Sequence, residues 1–467
     1  MNTSQIVTTV FSVILFFCPI TTDAGERYRF RVYLKDKGDA GYSVEKASDF
    51  LSAKAIERRQ KNDIAVTASD FPISYVYLDS LCAVGVTPIV QSKWLSTVVV
   101  ESADSLLIND LKDLSIVDSV KWVWKGQGVV EPSVSDDAAG ADDTILTSTR
   151  QRTKKHYGYA NDQIKMLNGI KLHKSGFQGE GMFVAILDAG FKNVDRISAF
   201  KSLKLLGTHN FVNPHLSVFE GDNHGTKVLS CMAANIPGIM VGTAPQAYYW
   251  LLTTEDINSE YPVEEDYWAA AVEFADSVGV DVISSSLGYY DFDADELGYS
   301  TDDLDGRTAL ITRVAQAATD KGILLFSSAG NEGSSSWKKI TFPADAVDVI
   351  TVGSVTEKKD RSSFSSIGFT SDLRVKPDLV ALGTASSVVN SLGEVSYVSG
   401  TSFSTPTIAG LGVCLWQALP LLTNKEIIEL LRTTASQHKR PDEELGYGIP
   451  DVFKAYKKGR KHVSKSK

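Results

Sequence analysis

The stretch Gly400-Thr401-Ser402-Phe403-Ser404-Thr405-Pro406 places a serine at the mouth of a long apolar run. Proline fits near a helix start, where the first amides have no partner to lose. Residues 407–419, with Ile408, Leu411, Val413, Leu415 and Trp416, are apolar nearly all round, which predicts a buried helix. A hydroxyl at such a helix N-terminus sits in a positive local field, a good seat for a nucleophile. A serine hydroxyl is nonetheless a poor nucleophile at neutral pH and needs a base beside it. His224, in Asn223-His224-Gly225-Thr226, opens a further predicted helix and has the right chemistry, because imidazole titrates near neutrality. Asp188 ends the apolar run Val184-Ala185-Ile186-Leu187 and can bond the far nitrogen of an imidazole, fixing its tautomer. Asn331 follows the strand-like Leu324-Leu325-Phe326-Ser327-Ser328 and lies among glycines. Taken singly, each has a plainer reading. Asp188 caps a turn, His224 is structural, Asn331 is a turn residue and Ser402 is a helix cap.

The elements that would carry these residues alternate between helix and strand. Residues 267–278 read as a helix stopped by Gly279, and residues 280–284 as the strand after it. Residues 308–318 read as a helix, residues 323–327 and 349–355 as apolar strands, and Thr423 with Glu426 as a capping box for a helix over 424–435. Such repetition predicts a parallel sheet covered on both faces, an α/β doubly wound domain. Upstream lies a different pattern. Residues 28–35 alternate strictly, residues 47–62 are amphipathic, 89–93 and 96–101 read as adjacent strands, 103–114 as a helix and 117–125 as a last strand. That order predicts a small α+β module of the ferredoxin-like kind.

The chain order of acid, histidine, asparagine and serine, each in its own motif, resembles the subtilase (subtilisin-like) family of serine endopeptidases. The likeness runs from about residue 159 to 452 and is supported by Ser286-Leu287-Gly288, Gly242-Thr243-Ala244-Pro245, Phe342-Pro343-Ala344, Lys376-Pro377-Asp378 and Gly446-Tyr447-Gly448-Ile449-Pro450-Asp451. The resemblance implies a mostly parallel sheet with helices on both faces. It also implies a catalytic triad of Asp188, His224 and Ser402, and an oxyanion hole formed by the Asn331 amide and the Ser402 backbone N–H. Ser286, Leu287, Gly288 with Ser328, Ala329, Gly330 would line the primary substrate pocket, and their small size predicts room for large apolar side chains. The N-terminal module would act as propeptide, inhibitor and intramolecular chaperone. Three positions depart from the usual pattern: Ala189 where Ser or Thr is common after the aspartate, Lys227 where many members carry His, and Phe403-Ser404 for Met-Ala. None removes a catalytic group. The loss of a hydroxyl at residue 189 bears on how Asp188 is oriented.

The chain has 467 residues, 43% of them hydrophobic, and a formal net charge of -10, which argues against nucleic acid as a partner. Residues 6–20 are mostly apolar but short for a membrane span, and Thr22-Asp23-Ala24 offers small residues for cleavage after Ala24. Residues 1–24 are therefore expected to be a signal peptide of a secreted or periplasmic protein with no stable membrane span. Domain limits follow: 25–130 for the propeptide-like module, 131–156 for an exposed linker holding the maturation cleavage, 157–455 for the peptidase and 456–467 for a basic tail. Of the four cysteines, Cys231 and Cys414 fall on the helices of His224 and Ser402. Buried thiols or a bridge both remain open for that pair. The acidic loop from Asp291 to Asp305 departs from a calcium-loop pattern at Glu296 and Asp302 and reads as a solvated insertion. No catalytic cofactor and no metal ligands are assigned, although the resemblance leaves room for structural calcium. A non-catalytic peptide-binding module and an esterase are the competing functions.

Overall fold

The computed structural model describes residues 25–127 and 155–465. The expected signal peptide and nearly all of the expected linker lie outside them. The N-terminal module runs β1 (Glu26–Leu34), α1 (Ala53–Lys61), α2 (Tyr75–Cys82), β2 (Thr87–Ser92), β3 (Thr97–Ser102), α3 (Leu107–Lys112) and β4 (Val117–Gln127). Its strands form one antiparallel sheet in the order β2-β3-β1-β4, the ferredoxin-like arrangement. Residues 47–62 are not one helix. Phe50 and Leu51 turn inward to an apolar cluster, and Ser52 then caps α1 by accepting the Ala55 N–H at 3.2 Å.

The second part runs α4 (Asn161–Met166), α5 (Gly169–Lys174), β5 (Phe183–Asp188), β6 (Lys204–Asn210), α6 (His224–Ala233), β7 (Tyr248–Thr253), α7 (Val263–Val278), β8 (Val282–Ser285), α8 (Leu310–Asp320), β9 (Leu324–Ser328), β10 (Ile350–Val355) and β11 (Leu379–Leu382). A hairpin of β12 (Ser386–Val389) and β13 (Val395–Val398) precedes α9 (Thr401–Ala418), α10 (Asn424–Thr434) and α11 (Val452–Lys465). Seven strands make a fully parallel sheet in the order β11-β10-β9-β8-β5-β7-β6. Separate apolar clusters cover its two faces, one including α6 and α9 and the other α7 and α8. The doubly wound expectation therefore holds. α9 is buried from Thr401 to Trp416, as its all-round apolar pattern requires. It starts six residues before the expected 407, so Ser402 lies inside its first turn. Residues 456–465, expected as part of a basic tail, belong to α11 instead. Val452 and Ala455 are buried, and Gly459 packs where a Cβ would meet Leu419 and Leu430. No bridge joins Cys231 to Cys414; both are buried free thiols.

The module sits on α7 through charge as well as apolar contact. Arg31 donates to Asp266 at 2.6 and 2.8 Å, Arg59 to Asp276 at 2.6 Å and to Asp70 at 3.1 Å, and Arg58 to Asp276 as well. Glu273 accepts from the Ser92 hydroxyl at 2.5 Å and the Lys93 N–H at 2.7 Å. Val99, Val123 and Trp124 pack with Val263 and Tyr267 in one cluster.

Candidate active site

β5 delivers Asp188 to the end of the sheet, fully buried. Its Oδ1 accepts the His224 Nδ1–H at 2.7 Å and the Ala189 N–H at 2.9 Å. Its Oδ2 is buried and has no hydrogen-bond partner among the described residues. His224 is the first residue of α6, and its backbone N–H donates to Asp222 Oδ1 at 2.6 Å. The sequence needs glycine next. A Cβ on residue 225 would lie 2.4 Å from the Gly190 carbonyl oxygen and 3.0 Å from Asp188 Cβ, so any side chain would push the helix off the carboxylate. Burial pulls the imidazole pKa down, but Asp188, Glu255 and Asp222 outweigh it and hold it up at about 8.

Ser402 is the second residue of α9 and almost buried. Pro406 lies four residues on and has no N–H to give the Ser402 carbonyl. The Ser286 hydroxyl supplies that hydrogen bond at 3.0 Å, while Ser402 Oγ points back to the Ser286 carbonyl at 3.4 Å. The proline thus ties the helix start to the segment after β8. The rings of His224 and Phe403 lie 5.8 Å apart, which keeps the imidazole beside the serine's end of α9.

Asn331 is oriented by Thr401. Its Oδ1 accepts the Thr401 N–H at 2.9 Å and the Thr401 hydroxyl at 3.0 Å, which makes the amide nitrogen the end left to donate. His224, Asn331 and Ser402 all line one open cleft of about 360 Å³. Ser286, Leu287 and Gly288 form one wall and Ser328 and Gly330 another. Gly330 has φ +98°, and a Cβ there would meet Ser366 Oγ at 2.9 Å. Ala329, expected in the pocket, is not part of the lining. It is fully buried in the apolar cluster beneath, and its N–H extends the β9–β10 ladder to Val352.

Several lining residues carry no sequence signal of their own. Thr341 stands between the two walls, its hydroxyl unpartnered and 2.1 Å from where a Gly288 Cβ would fall, so it limits the depth of the slot. The neighbouring Phe342-Pro343 motif was its one pointer. Asp222, Glu255, Glu260 and Glu332 also line the cleft.

In the acidic loop the carboxylates engage nearby backbone. Asp303 accepts the Ser300 N–H at 2.8 Å, and Asp305 accepts the N–H groups of Thr308 at 2.8 Å and Arg307 at 2.9 Å. Among the described residues no group of three or more His, Cys, Asp or Glu is gathered to hold a metal ion. No described helix is long and apolar enough to cross a membrane.

Residues 179–448 match the model of the subtilase family, and residues 29–136 match the Bacteroidota propeptide domain of the S8 peptidases. Subtilisin NAT of Bacillus subtilis subsp. natto is 31% identical over 277 residues, covering 58% of this chain and 65% of the relative. Subtilisin E of Bacillus subtilis (strain 168) gives the same identity and coverage. Subtilisin DY of Bacillus licheniformis is 30% identical over 278 residues, 90% of its length. The matched region thus spans just under two thirds of the first two relatives.

Proposed function

The chain belongs to the subtilase family, and from that premise we propose that it is an exported serine endopeptidase, made as a precursor, that cleaves peptide bonds with Asp188, His224 and Ser402. The observation that carries this reading is the 2.7 Å Asp188–His224 hydrogen bond opening onto the cleft that Ser402 and Asn331 also line.

In this mechanism Ser402 Oγ turns from the Ser286 carbonyl and attacks the scissile carbonyl carbon. Its proton passes to His224 Nε2, and Asp188 stabilises the imidazolium that forms. The negative charge on the former carbonyl oxygen is met by the Asn331 amide nitrogen and the Ser402 N–H. Collapse breaks the C–N bond, and His224 returns the proton to the leaving amine. Water then attacks the acyl-enzyme by the same route. The substrate lies extended along Ser286-Leu287-Gly288, pairing backbone to backbone, with Ser328 and Gly330 on the opposite wall. No cofactor is required. The walls favour a large apolar side chain, of a length set by Thr341.

The N-terminal module acts as an intramolecular inhibitor and chaperone. Its last strand supports this: Trp124 Nε1 donates to Ser259 at 3.3 Å and Trp122 meets Tyr261 ring to ring at 6.0 Å, on the loop that also bears the cleft residues Ile257 and Glu260.

Purified wild type is expected to shorten itself within residues 131–156, while Ser402→Ala stays full length. Equal trimming of both would sink autoprocessing, and processed protein that a phosphonofluoridate fails to label at Ser402 would sink nucleophilic catalysis. Asn331→Ala is expected to lower kcat roughly 10²–10³-fold with KM little changed, the range known for the corresponding donor of subtilisin.

A further inference from the structure

We infer that the cleft holds a pocket for a cationic substrate side chain, lysine or arginine, built from Glu255 and Glu260 and backed by the buried Glu264 and the Tyr289 hydroxyl. The inference deepens the peptidase reading and rests on it.

Glu255 and Glu260 line the same cleft as His224 and Ser402. Behind them Glu264, in the first turn of α7, is fully buried. Its Oε1 accepts only a long contact from the Tyr261 N–H at 3.4 Å, and its Oε2 has no partner among the described residues. The Tyr289 hydroxyl is likewise buried without a partner, and Tyr289 is part of the cleft wall. The charges acting on that phenol are Glu264, Glu255, Glu260 and Glu265. Two orphaned polar groups therefore sit at the back of two carboxylates that face the open cleft.

Such groups are costly unless something pairs with them. Among the described residues no lysine or arginine forms an ion pair with Glu255, Glu260 or Glu264. Burial and mutual repulsion push their carboxyls up, to about 7, about 8 and about 10 in that order. An entering ammonium or guanidinium would reverse this by supplying both the charge and the donors that are missing. A peptide side chain suits the place better than a metal ion, since these residues are not gathered as a ligand set. Glu332 and Asp222 on the same cleft add to the negative field a basic peptide would meet.

The test is a peptide series cleaved by the processed enzyme, in which arginine and its neutral isostere citrulline are exchanged one position at a time. At one position near the scissile bond, arginine is expected to raise kcat/KM about tenfold or more over citrulline. Glu255→Gln and Glu260→Gln should each pull that ratio toward one. A ratio near one at every position in the wild type, with cleavage intact, overturns the pocket and leaves the peptidase reading standing. Fluorescence anisotropy of the same labelled peptides covers the other case. Selective binding of the arginine peptide without any cleavage would overturn the peptidase reading and support the pocket, whereas equal binding overturns the pocket.

Discussion

α7 lets two environments be compared along a single helix. Where the N-terminal module covers it, each buried carboxylate is matched: Glu265 and Asp266 by Arg31, Glu273 by Ser92 and the Lys93 N–H, and Asp276 by Arg58 and Arg59. Where it backs the cleft, Glu264 is buried just as deeply and Oε2 is unmatched. The module brings its cations in the same chain, so the charges can be closed off. A cleft that takes and releases peptides must leave its carboxylates open until a ligand arrives. On this view the unpaired carboxyls are the price of turnover, and the paired ones hold the precursor together.

The largest expected effect breaks the paired side of that contrast. Asp276→Ala leaves two buried guanidiniums short of a partner, although Arg59 keeps Asp70. Stranding one member of a buried pair costs about 3–5 kcal/mol. We expect that loss in denaturant unfolding of the full chain carrying Ser402→Ala, with the N-terminal module released first. A loss under about 1 kcal/mol, the size of an exposed ion pair, would mean that the Arg58–Asp276–Arg59 cluster does not hold the module.

The next effect concerns the open side. In the proposed mechanism His224 acts as base only when neutral, and its pKa is held up at about 8, so the neutral form dominates only above that pH. On a peptide without basic residues, kcat/KM should therefore rise through pH 7 and level off above about 8. Glu255 is one of the charges holding the imidazolium, and Glu255→Gln should move the acid limb to lower pH. An unmoved limb would show that Glu255 does not reach the base.

The catalytic candidates were legible because each sits in a local motif that the fold itself requires. Gly225 is needed for α6 to approach Asp188, and Pro406 leaves a carbonyl that Ser286 fills. Of the parallel strands, β5, β8, β9 and β10 were legible from their apolar runs; β6, β7 and β11 were not read, and β6 has no apolar run, with no residue fully buried. The ends of helices were less legible. The break at residues 50–52 hides inside an amphipathic pattern, yet Ser52 three residues before Ala55 was a readable cap. α2 was missed because Tyr75 and Val76 put apolar residues on its exposed side, which blurs the periodicity. α11 hid behind its lysines, since its contacts come from Val452, Ala455 and Gly459 on one face. Thr341 had only the neighbouring Phe342-Pro343 motif as a pointer, and Glu255 and Glu260 had no signal at all. Their roles come from which loops the sheet brings together, and an unpaired carboxylate differs from a solvated one only by what surrounds it.

Asp188 itself repeats the contrast at the scale of one side chain, and the smallest expected effect sharpens it there. Its Oδ1 has two donors while its buried Oδ2 has none. The family's usual Ser or Thr after the aspartate is alanine in this chain, and Ala189 gives only its N–H, to the oxygen already satisfied. A carboxylate held through one oxygen can pivot about that contact, and the imidazole it orients pivots with it. Ala189→Ser places a hydroxyl in the same tight turn, where it can donate to Oδ2. One added hydrogen bond to a buried charge is worth about 1.5–3 kcal/mol at most, and only the part that tightens the transition state reaches the rate. We therefore expect kcat to rise a few-fold at pH 9 with KM unchanged. An unchanged or lower kcat would mean that fixing Oδ2 does not tighten the transition state, and that the departure at residue 189 costs the enzyme nothing.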